Sequence, residues 1–198
     1  KVCKAIPIRI GLPKYTQSLR SRGLEGSVIV KFDIDTNGRV INSFILRSSG
    51  HNELDVIALE AIQQLRYNPK LVGGIPAITK GKKRKFTFFI GETGAGKTYH
   101  AFQKFKGKES GAFFAPLRLL ALEGQETIEE LGYPCNLITG EEQDIKEDAM
   151  FISSTIEMLN ITEEYDVVVI DECQLIFDEH RGWAWTQAIV GANADEII

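Results

Sequence analysis

Phe86-Thr-Phe-Phe-Ile90-Gly91-Glu-Thr-Gly-Ala-Gly96-Lys97-Thr98 decides the fold of more than half of this chain. A short apolar strand runs into the pattern G-x-x-x-x-G-K-[ST], and Tyr99-His-Ala-Phe-Gln103 continues as a helix. The spacing has a chemical reason. Backbone N–H groups of Gly91, Thr93, Gly94, Ala95 and Gly96 can approach phosphate oxygens closely because few side chains stand in the way, and the helix start adds partial positive charge. Lys97 would reach the β- and γ-phosphates, and the Thr98 hydroxyl would ligate Mg²⁺. A plain glycine-rich turn is the bland alternative, and a second motif downstream weakens it.

That motif is Asp166-Val-Val-Val-Ile170-Asp171-Glu172-Cys173-Gln174. Four consecutive apolar residues read as a buried parallel strand that ends in two carboxylates. Ligands in open α/β sheets bind beyond the carboxyl ends of the strands. Asp171 would hold Mg²⁺, Glu172 would orient and deprotonate an attacking water, and Gln174 would sense the γ-phosphate. Either carboxylate alone would pass for a surface turn. Ala112-Phe-Phe-Ala115 and Met150-Phe-Ile152 read as further strands, so strands alternate with helices in an α/β P-loop sheet of the RecA-like type.

Upstream the pattern changes. Pro13 fits the first turn of a helix to about Arg22, with Gly23 as its stop. Val28, Val30, Phe32 and Ile34 alternate with Ile29, Lys31, Asp33 and Asp35, the signature of a half-buried strand. Asn37-Gly38 predicts a tight hairpin into a second strand, Arg39 to Ser48. Asn52 is placed to cap a helix, with Asp55 three residues on. In it Leu54, Ile57, Ala58, Ala61, Ile62 and Leu65 form one apolar stripe, and Asn68-Pro69 ends it. The basic run Lys82-Lys83-Arg84-Lys85 reads as a solvated turn before the strand at Phe86, although such a run could also touch phosphates.

Composition agrees with two units. The 198 residues are 43% hydrophobic and 25% charged, which excludes a disordered tail or a disulfide scaffold. The net charge of −4 hides a split. Residues 1–90 carry 16 Lys and Arg against 6 Asp and Glu, whereas residues 91–198 carry 7 against 21. Cys3, Cys135 and Cys173 form no C-x-x-C pair, so packed reduced thiols are expected. No apolar run approaches the ~18 residues of a membrane span, and no secretory signal core opens the chain. That favours the cytoplasm, with the periplasm as the alternative. A first residue of Lys1 rather than Met suggests a fragment or a processed product.

The first half resembles a known family. Gly23-Leu24-Glu25-Gly26-x-Val28-x-Val30-x-Phe32-x-Ile34-Asp35-x-x-Gly38-x-Val40 is similar to the C-terminal domain of TonB-type energy transducers, as are Ser48-Ser49-Gly50, Leu54-Asp55, Arg66-Tyr67-x-Pro69 and Gly74-x-Pro76. The match covers residues 10–88. It implies an interaction module that takes a receptor peptide by strand addition. The family's Tyr-Pro is here Tyr15-Thr16, and its Pro-rich spacer and membrane anchor are not in this sequence.

The second half resembles the first RecA-like domain of mitochondrial degradosome RNA helicases, DExH-type superfamily-two enzymes. Gly91 to Ala101, Pro116-Leu-Arg-Leu-Leu-Ala-Leu-Glu123, Thr139-Gly-Glu-Glu142, Ser154-Thr-Ile-Glu-Met158, Asp171-Glu-Cys-Gln174 and Arg181-Gly-Trp-Ala-Trp-Thr186 follow in family order over residues 85–198. The resemblance implies ATP with Mg²⁺ as cofactors and RNA as partner. It places Pro116, Leu117, Arg118, Thr139, Gly140, Thr155 and Glu157 along a nucleic-acid track. Glu92, Gly94 and Ala95 depart from the family's Gly-Pro-Thr-Asn-Ser-Gly-Lys-Thr. The family's second RecA-like domain and arginine finger would follow Ile198, so slow hydrolysis is expected here, and the acidic half argues for weak RNA affinity.

The organisation expected is therefore residues 1–85 as a small α+β TonB-like module, with two helices and a three-stranded antiparallel sheet, and residues 86–198 as an incomplete α/β P-loop domain, the first RecA-like domain of a helicase cut short at its C-terminal end. The two would abut near Lys83–Ile90 or compete for that strand, since one strand is poorly suited to completing two cores. An artificial or rearranged chimera with neither full activity is a further reading of the same pattern.

Overall fold

The computed structural model describes residues 23–92 and 94–198. The expected helix from Pro13 to Arg22, and Thr93 of the glycine-rich loop, lie outside the described residues. Eleven strands are described: β1 Glu25–Ile34, β2 Val40–Arg47, β3 Lys70–Val72, β4 Ile75–Ala77, β5 Thr79–Phe89, β6 Gly111–Ala115, β7 Cys135–Ile138, β8 Gln143–Asp144, β9 Phe151–Thr155, β10 Glu164–Ile170 and β11 Asn193–Ile197. The described α-helices are α1 Asn52–Gln64, α2 Lys97–Phe102, α3 Arg118–Glu130 and α4 Gly182–Gly191.

Nine strands form one sheet in the order β2-β1-β5-β11-β10-β6-β9-β7-β8. The first three pair antiparallel. From β5 to β7 the pairing is parallel, and β8 closes the far edge antiparallel to β7. β3 and β4 make a separate small hairpin.

β5 belongs to both regions. On one side it pairs with β1 from Glu25↔Phe89 to Ile34↔Thr79; on the other it pairs with β11 at Glu196↔Lys85 and Ile197↔Phe86. The halves neither merely abut nor compete for this strand, because it has two hydrogen-bonding edges and each half uses one. The basic run lies inside β5 rather than in a turn. Within it Lys83 stays exposed opposite Lys31, while Arg84 is buried opposite Val30.

The core follows the two faces of the sheet. On one face, α1 and α4 cover Val28, Val30, Phe32, Phe86, Phe114, Val168 and Ile197 in a continuous cluster that includes residues of both halves. On the other, α2 and α3 cover Phe113, Ala115, Val167 and Val169. The stripe expected on α1 is buried at Leu54, Ala58, Ala61 and Ile62. Its N-terminus is flanked by His51 with no side-chain cap, and the Asp55 carboxylate instead accepts from the Ser49 amide at 2.9 Å and hydroxyl at 2.7 Å. The hairpin forms where Asn37-Gly38 predicts it. Gly38 has φ +78, and a Cβ there would lie 1.7 Å from the Tyr67 carbonyl oxygen.

A polar seam stitches the shared strand to its neighbours. The Ser27 and Thr87 hydroxyls are 2.8 Å apart. Thr87 also donates to Glu196 Oε1 at 2.7 Å, and Lys85 Nζ lies 2.9 Å from the same oxygen. These bonds join β1, β5 and β11 beneath the surface, where each buried polar atom needs a partner. β11 itself, Asn-Ala-Asp-Glu-Ile, carries too short and too polar a pattern to be read as a central strand, yet it sits between β5 and β10.

Candidate functional site

β5 delivers the glycine-rich loop to the carboxyl end of the parallel strands. The Ile90 amide donates to the Leu24 carbonyl at 2.8 Å, and the chain then turns through Gly91 to Gly96 into α2. Gly94 and Gly96 have φ of +83 and +74, a left-handed backbone that glycine adopts without steric cost. Lys97 opens α2, and its Nζ donates to the Gly91 carbonyl at 2.9 Å and the Glu92 carbonyl at 2.7 Å. The ammonium thus braces the loop entry. α2 spans six residues before a 3-10 turn at Gln103–Phe105.

β10 delivers the two carboxylates to the same end. The Asp171 amide donates to the Phe114 carbonyl at 2.9 Å, and its carbonyl accepts from Trp185 Nε1 at 2.9 Å. Both main-chain groups of Asp171 are therefore anchored, which fixes the origin of its side chain. Burial pushes the Asp171 carboxyl pKa up; the Glu172 amide opposes this, the Glu172 charge adds to it and the nearby Lys97 charge opposes it. Glu172 has φ 51, a left-handed conformation uncommon outside glycine, asparagine and aspartate. Gln174 donates its amide to the Glu172 carboxylate.

A cavity of about 530 Å³ joins these groups. Gly91, Glu92, Lys97 and Thr98 line it from the loop, and Asp171, Glu172 and Gln174 from β10. Ile57, Ala58 and Ala61 of α1 also line it, a contribution from the first half that sequence reasoning missed. Only the pairing of β1 with β5, which brings α1 across Phe86, could have revealed it.

The residues expected along a nucleic-acid track fall at the ends of β6, β7 and β9. Pro116 follows β6, Thr155 ends β9, and Glu157 lies in the turn Ile156–Met158. Arg118 opens α3 and reaches Glu142 at 2.5 Å and Glu141 at 3.3 Å. Thr139 is buried; its hydroxyl donates to the Glu142 carbonyl and accepts from the Glu142 amide, both at 3.0 Å. Arg118 and the Thr139-Gly140 turn are thus brought together, and Thr139 acts locally as the clasp of that turn. Leu117 and Gly140 are exposed. Arg181 and Trp185, to which the sequence assigns no role, touch Pro116, Glu157 and Asp171; two tryptophans beside an arginine at a helix start are the available signal.

Among the described residues no group of three or more His, Cys, Asp or Glu side chains is arranged to hold a metal, and no helix is long and apolar enough to cross a membrane. Cys135 is buried, with its thiol pushed up to about 12 by burial; Cys173 is exposed as a residue, yet its thiol turns inward and donates to the Ile170 carbonyl at 3.2 Å.

Comparison with known proteins assigns the two parts of the chain to two families, whose matches overlap at residues 77–90. The model of the Gram-negative bacterial TonB protein C-terminal matches residues 12–90. A solved structure of the TonB2 protein of Vibrio anguillarum is 23% identical, covering 43% of this chain and 86% of that one, with a TM-score of 0.30. The mitochondrial ATP-dependent RNA helicase SUV3 homologue of Caenorhabditis elegans is 49% identical over 118 residues, 58% of this chain and 16% of the relative. The human mitochondrial ATP-dependent RNA helicase SUPV3L1 is 43% identical over 143 residues, 70% of this chain and 18% of the relative. This chain therefore spans less than a fifth of the length of either helicase. The model of the DEXQ-box helicase domain of Suv3 matches residues 77–198, well over half of the sequence, so the chain belongs to that helicase-domain family.

Proposed function

We propose that the cavity at the end of β5 and β10 binds ATP with Mg²⁺, as the nucleotide site of an RNA-helicase-type domain. The observation that carries this reading is the convergence of Lys97, Thr98, Asp171 and Glu172 on one cavity from two strands that β11 separates. The loop amides and the Lys97 ammonium suit polyphosphate oxygens. The donor set also suits the cation, because a hydroxyl at Thr98 and a carboxylate at Asp171 are hard oxygen ligands of the kind that hold Mg²⁺ beside phosphates. When bound, Mg²⁺ would neutralise charge on the terminal phosphates.

The chain's own groups would divide the rest. Lys97 exchanges its two carbonyl partners for phosphate oxygens. Glu172 accepts a hydrogen bond from a water in line with the terminal phosphate, and Gln174 holds the Glu172 carboxylate in place. Pro116, Leu117, Arg118, Thr139, Gly140, Thr155 and Glu157 form the track for single-stranded RNA. Its affinity is low because Glu141 and Glu142 already engage Arg118. ATP and RNA imply the cytoplasm or an organelle matrix, and the named relatives are mitochondrial.

Titration of the wild type and Lys97→Ala with Mg-ATP tests this. The wild type should give a saturable heat and a thermal shift, and Lys97→Ala should give neither. Equal responses would defeat the reading.

A second reading rests on the opposite edge of the sheet. β2 is an edge strand with Phe44 and Leu46 about half exposed, so it offers unpaired main-chain groups to an extended receptor peptide in the manner of a TonB module. Periplasmic work would follow from that role. Protection of β2 amides from hydrogen exchange by an added extended peptide would support it; unchanged exchange at saturating peptide would end it.

A further inference from the structure

We infer that Arg181 is a positioning residue that couples the nucleic-acid track to the Mg²⁺-holding carboxylate Asp171 through Trp185. The inference rests on the nucleotide reading above. It draws on Arg181-Gly-Trp-Ala-Trp-Thr186, the one quoted motif that this reading leaves unused.

The geometry is a chain of contacts. Arg181 Nε donates to Glu157 Oε1 at 2.8 Å, and Nη2 donates to the Pro116 carbonyl at 2.5 Å. The same guanidinium lies over the Trp185 ring, 5.5 Å from its centroid. Trp185 is fully buried, and its Nε1 donates to the Asp171 carbonyl at 2.9 Å. Glu157 follows β9, Pro116 follows β6 and Asp171 follows β10. These three strands are neighbours in the sheet. One guanidinium and one indole therefore tie together the carboxyl ends of three adjacent strands, two bearing the track and one bearing the metal ligand.

The chemistry suits a relay. Arginine's planar fork satisfies two acceptors in fixed directions and stacks on an aromatic face at once, which lysine cannot do. Glu157 is an anion among groups that would meet RNA phosphates, so an arriving strand repels it and competes for Arg181. Any shift of the guanidinium bears on the Trp185 ring. The ring cannot move freely, because it is packed on all sides and its N–H holds the Asp171 backbone. Occupancy of the track and the aim of the Asp171 carboxylate become linked, and such linkage works in both directions.

The test measures coupling. The affinity of a non-hydrolysable ATP analogue with Mg²⁺ is determined with and without saturating single-stranded oligouridylate. In the wild type, RNA should change it by about fivefold or more. In Arg181→Ala the change should fall below about twofold, with each ligand alone still bound, and Arg181→Lys should recover part of it. Trp183 is half exposed and Trp185 is fully buried, so in a Trp183→Phe background the remaining tryptophan emission reports on the relay. RNA alone should shift that emission, and should not when Arg181→Ala is added. If Arg181→Ala does not fold, Glu157→Gln breaks the same link from the other side and should likewise reduce the coupling. Full coupling in a folded Arg181→Ala or Glu157→Gln variant, or no coupling in a wild type that binds nucleotide, overturns the inference alone. A wild type that binds no nucleotide overturns the nucleotide reading with it.

Discussion

The antiparallel and parallel regions of the sheet bury their strands in different ways. In β1 burial alternates: Val28, Val30, Phe32 and Ile34 are buried, and the residues between them are part exposed. In β6 all five residues are buried. Among the described residues the first region has a helix on one face, so only every second side chain enters a core. The second has helices on both faces, so every side chain does. β5 changes from one regime to the other within its length. Arg84, Lys85 and Phe86 alternate as in β1, whereas Phe86 and Thr87 are buried on opposite faces. The lesson is that the sheet is continuous in hydrogen bonding but not in layering, and that its two regimes meet at Phe86–Thr87.

The largest expected effect attacks that meeting point. Phe86 is 3% exposed in the cluster that contains residues of both halves. Phe86→Ala should cost about 3–5 kcal/mol, a large share of the ~5–15 kcal/mol typical of a domain. Denaturant unfolding with hydrogen exchange should show both regions losing protection together. Loss confined to one region would break the comparison, because the halves would then be separate cores.

A smaller effect should stay on the antiparallel side. At Gly38, φ is positive and a Cβ would collide with the Tyr67 carbonyl. Gly38→Ala should cost on the order of 2 kcal/mol and leave Mg-ATP affinity unchanged. A matching loss of affinity would show that hairpin strain reaches the parallel region.

The polar seam sharpens the comparison at its border. Burial pushes the Glu196 pKa up, but the bonds from Thr87 and Lys85 outweigh it, so the carboxyl titrates below its ordinary value of 4.5. A depressed value means that its stabilisation is complete above pH 4.5 and is lost as pH falls through the lowered value. Glu196→Gln should therefore lower the thermal midpoint by about 2–6 °C at neutral pH and flatten the acid limb of the stability profile. An unchanged acid limb would remove Glu196 from the seam.

The smallest effect concerns Asp171. Its pKa is raised, chiefly by burial, and the Mg²⁺-holding role proposed for it requires the ionised form. Mg-ATP affinity should fall a few-fold on acidification, beginning at a higher pH than an ordinary aspartate would dictate. Asp171→Asn should bind more weakly and show no such dependence on this group.

Much of this molecule was legible from local pattern. The alternation in β1, the Asn37-Gly38 turn, the apolar stripe of α1 and both motifs at Gly91–Thr98 and Asp166–Gln174 correspond to elements of the structure, because each reports its environment within a few residues. The remainder depends on partners distant in sequence. The Lys82–Lys85 run reads as solvent-facing charge until β1 is placed beside it. β11 is short and polar, and its central place comes only from β5 and β10 on either side. Arg181 has no visible task until the ends of β6, β9 and β10 are brought together. The sequence already pointed to Lys83–Ile90 as a strand that both units would claim; the two family matches overlap at residues 77–90, and β5 occupies almost that span.

The sequence by itself determined that the chain contains two kinds of unit, and it named the loop and carboxylates that converge at the cavity. Periodicity and glycine placement are local properties, and they survive without knowledge of the whole. Only the tertiary structure decided that both units share a single strand, that α1 lines the cavity beside Lys97 and Asp171, and that a buried seam locks the joint. The reason is that a strand has two hydrogen-bonding edges and a side chain two possible faces. Which partner occupies each is settled by packing across the whole sheet rather than by neighbours along the chain.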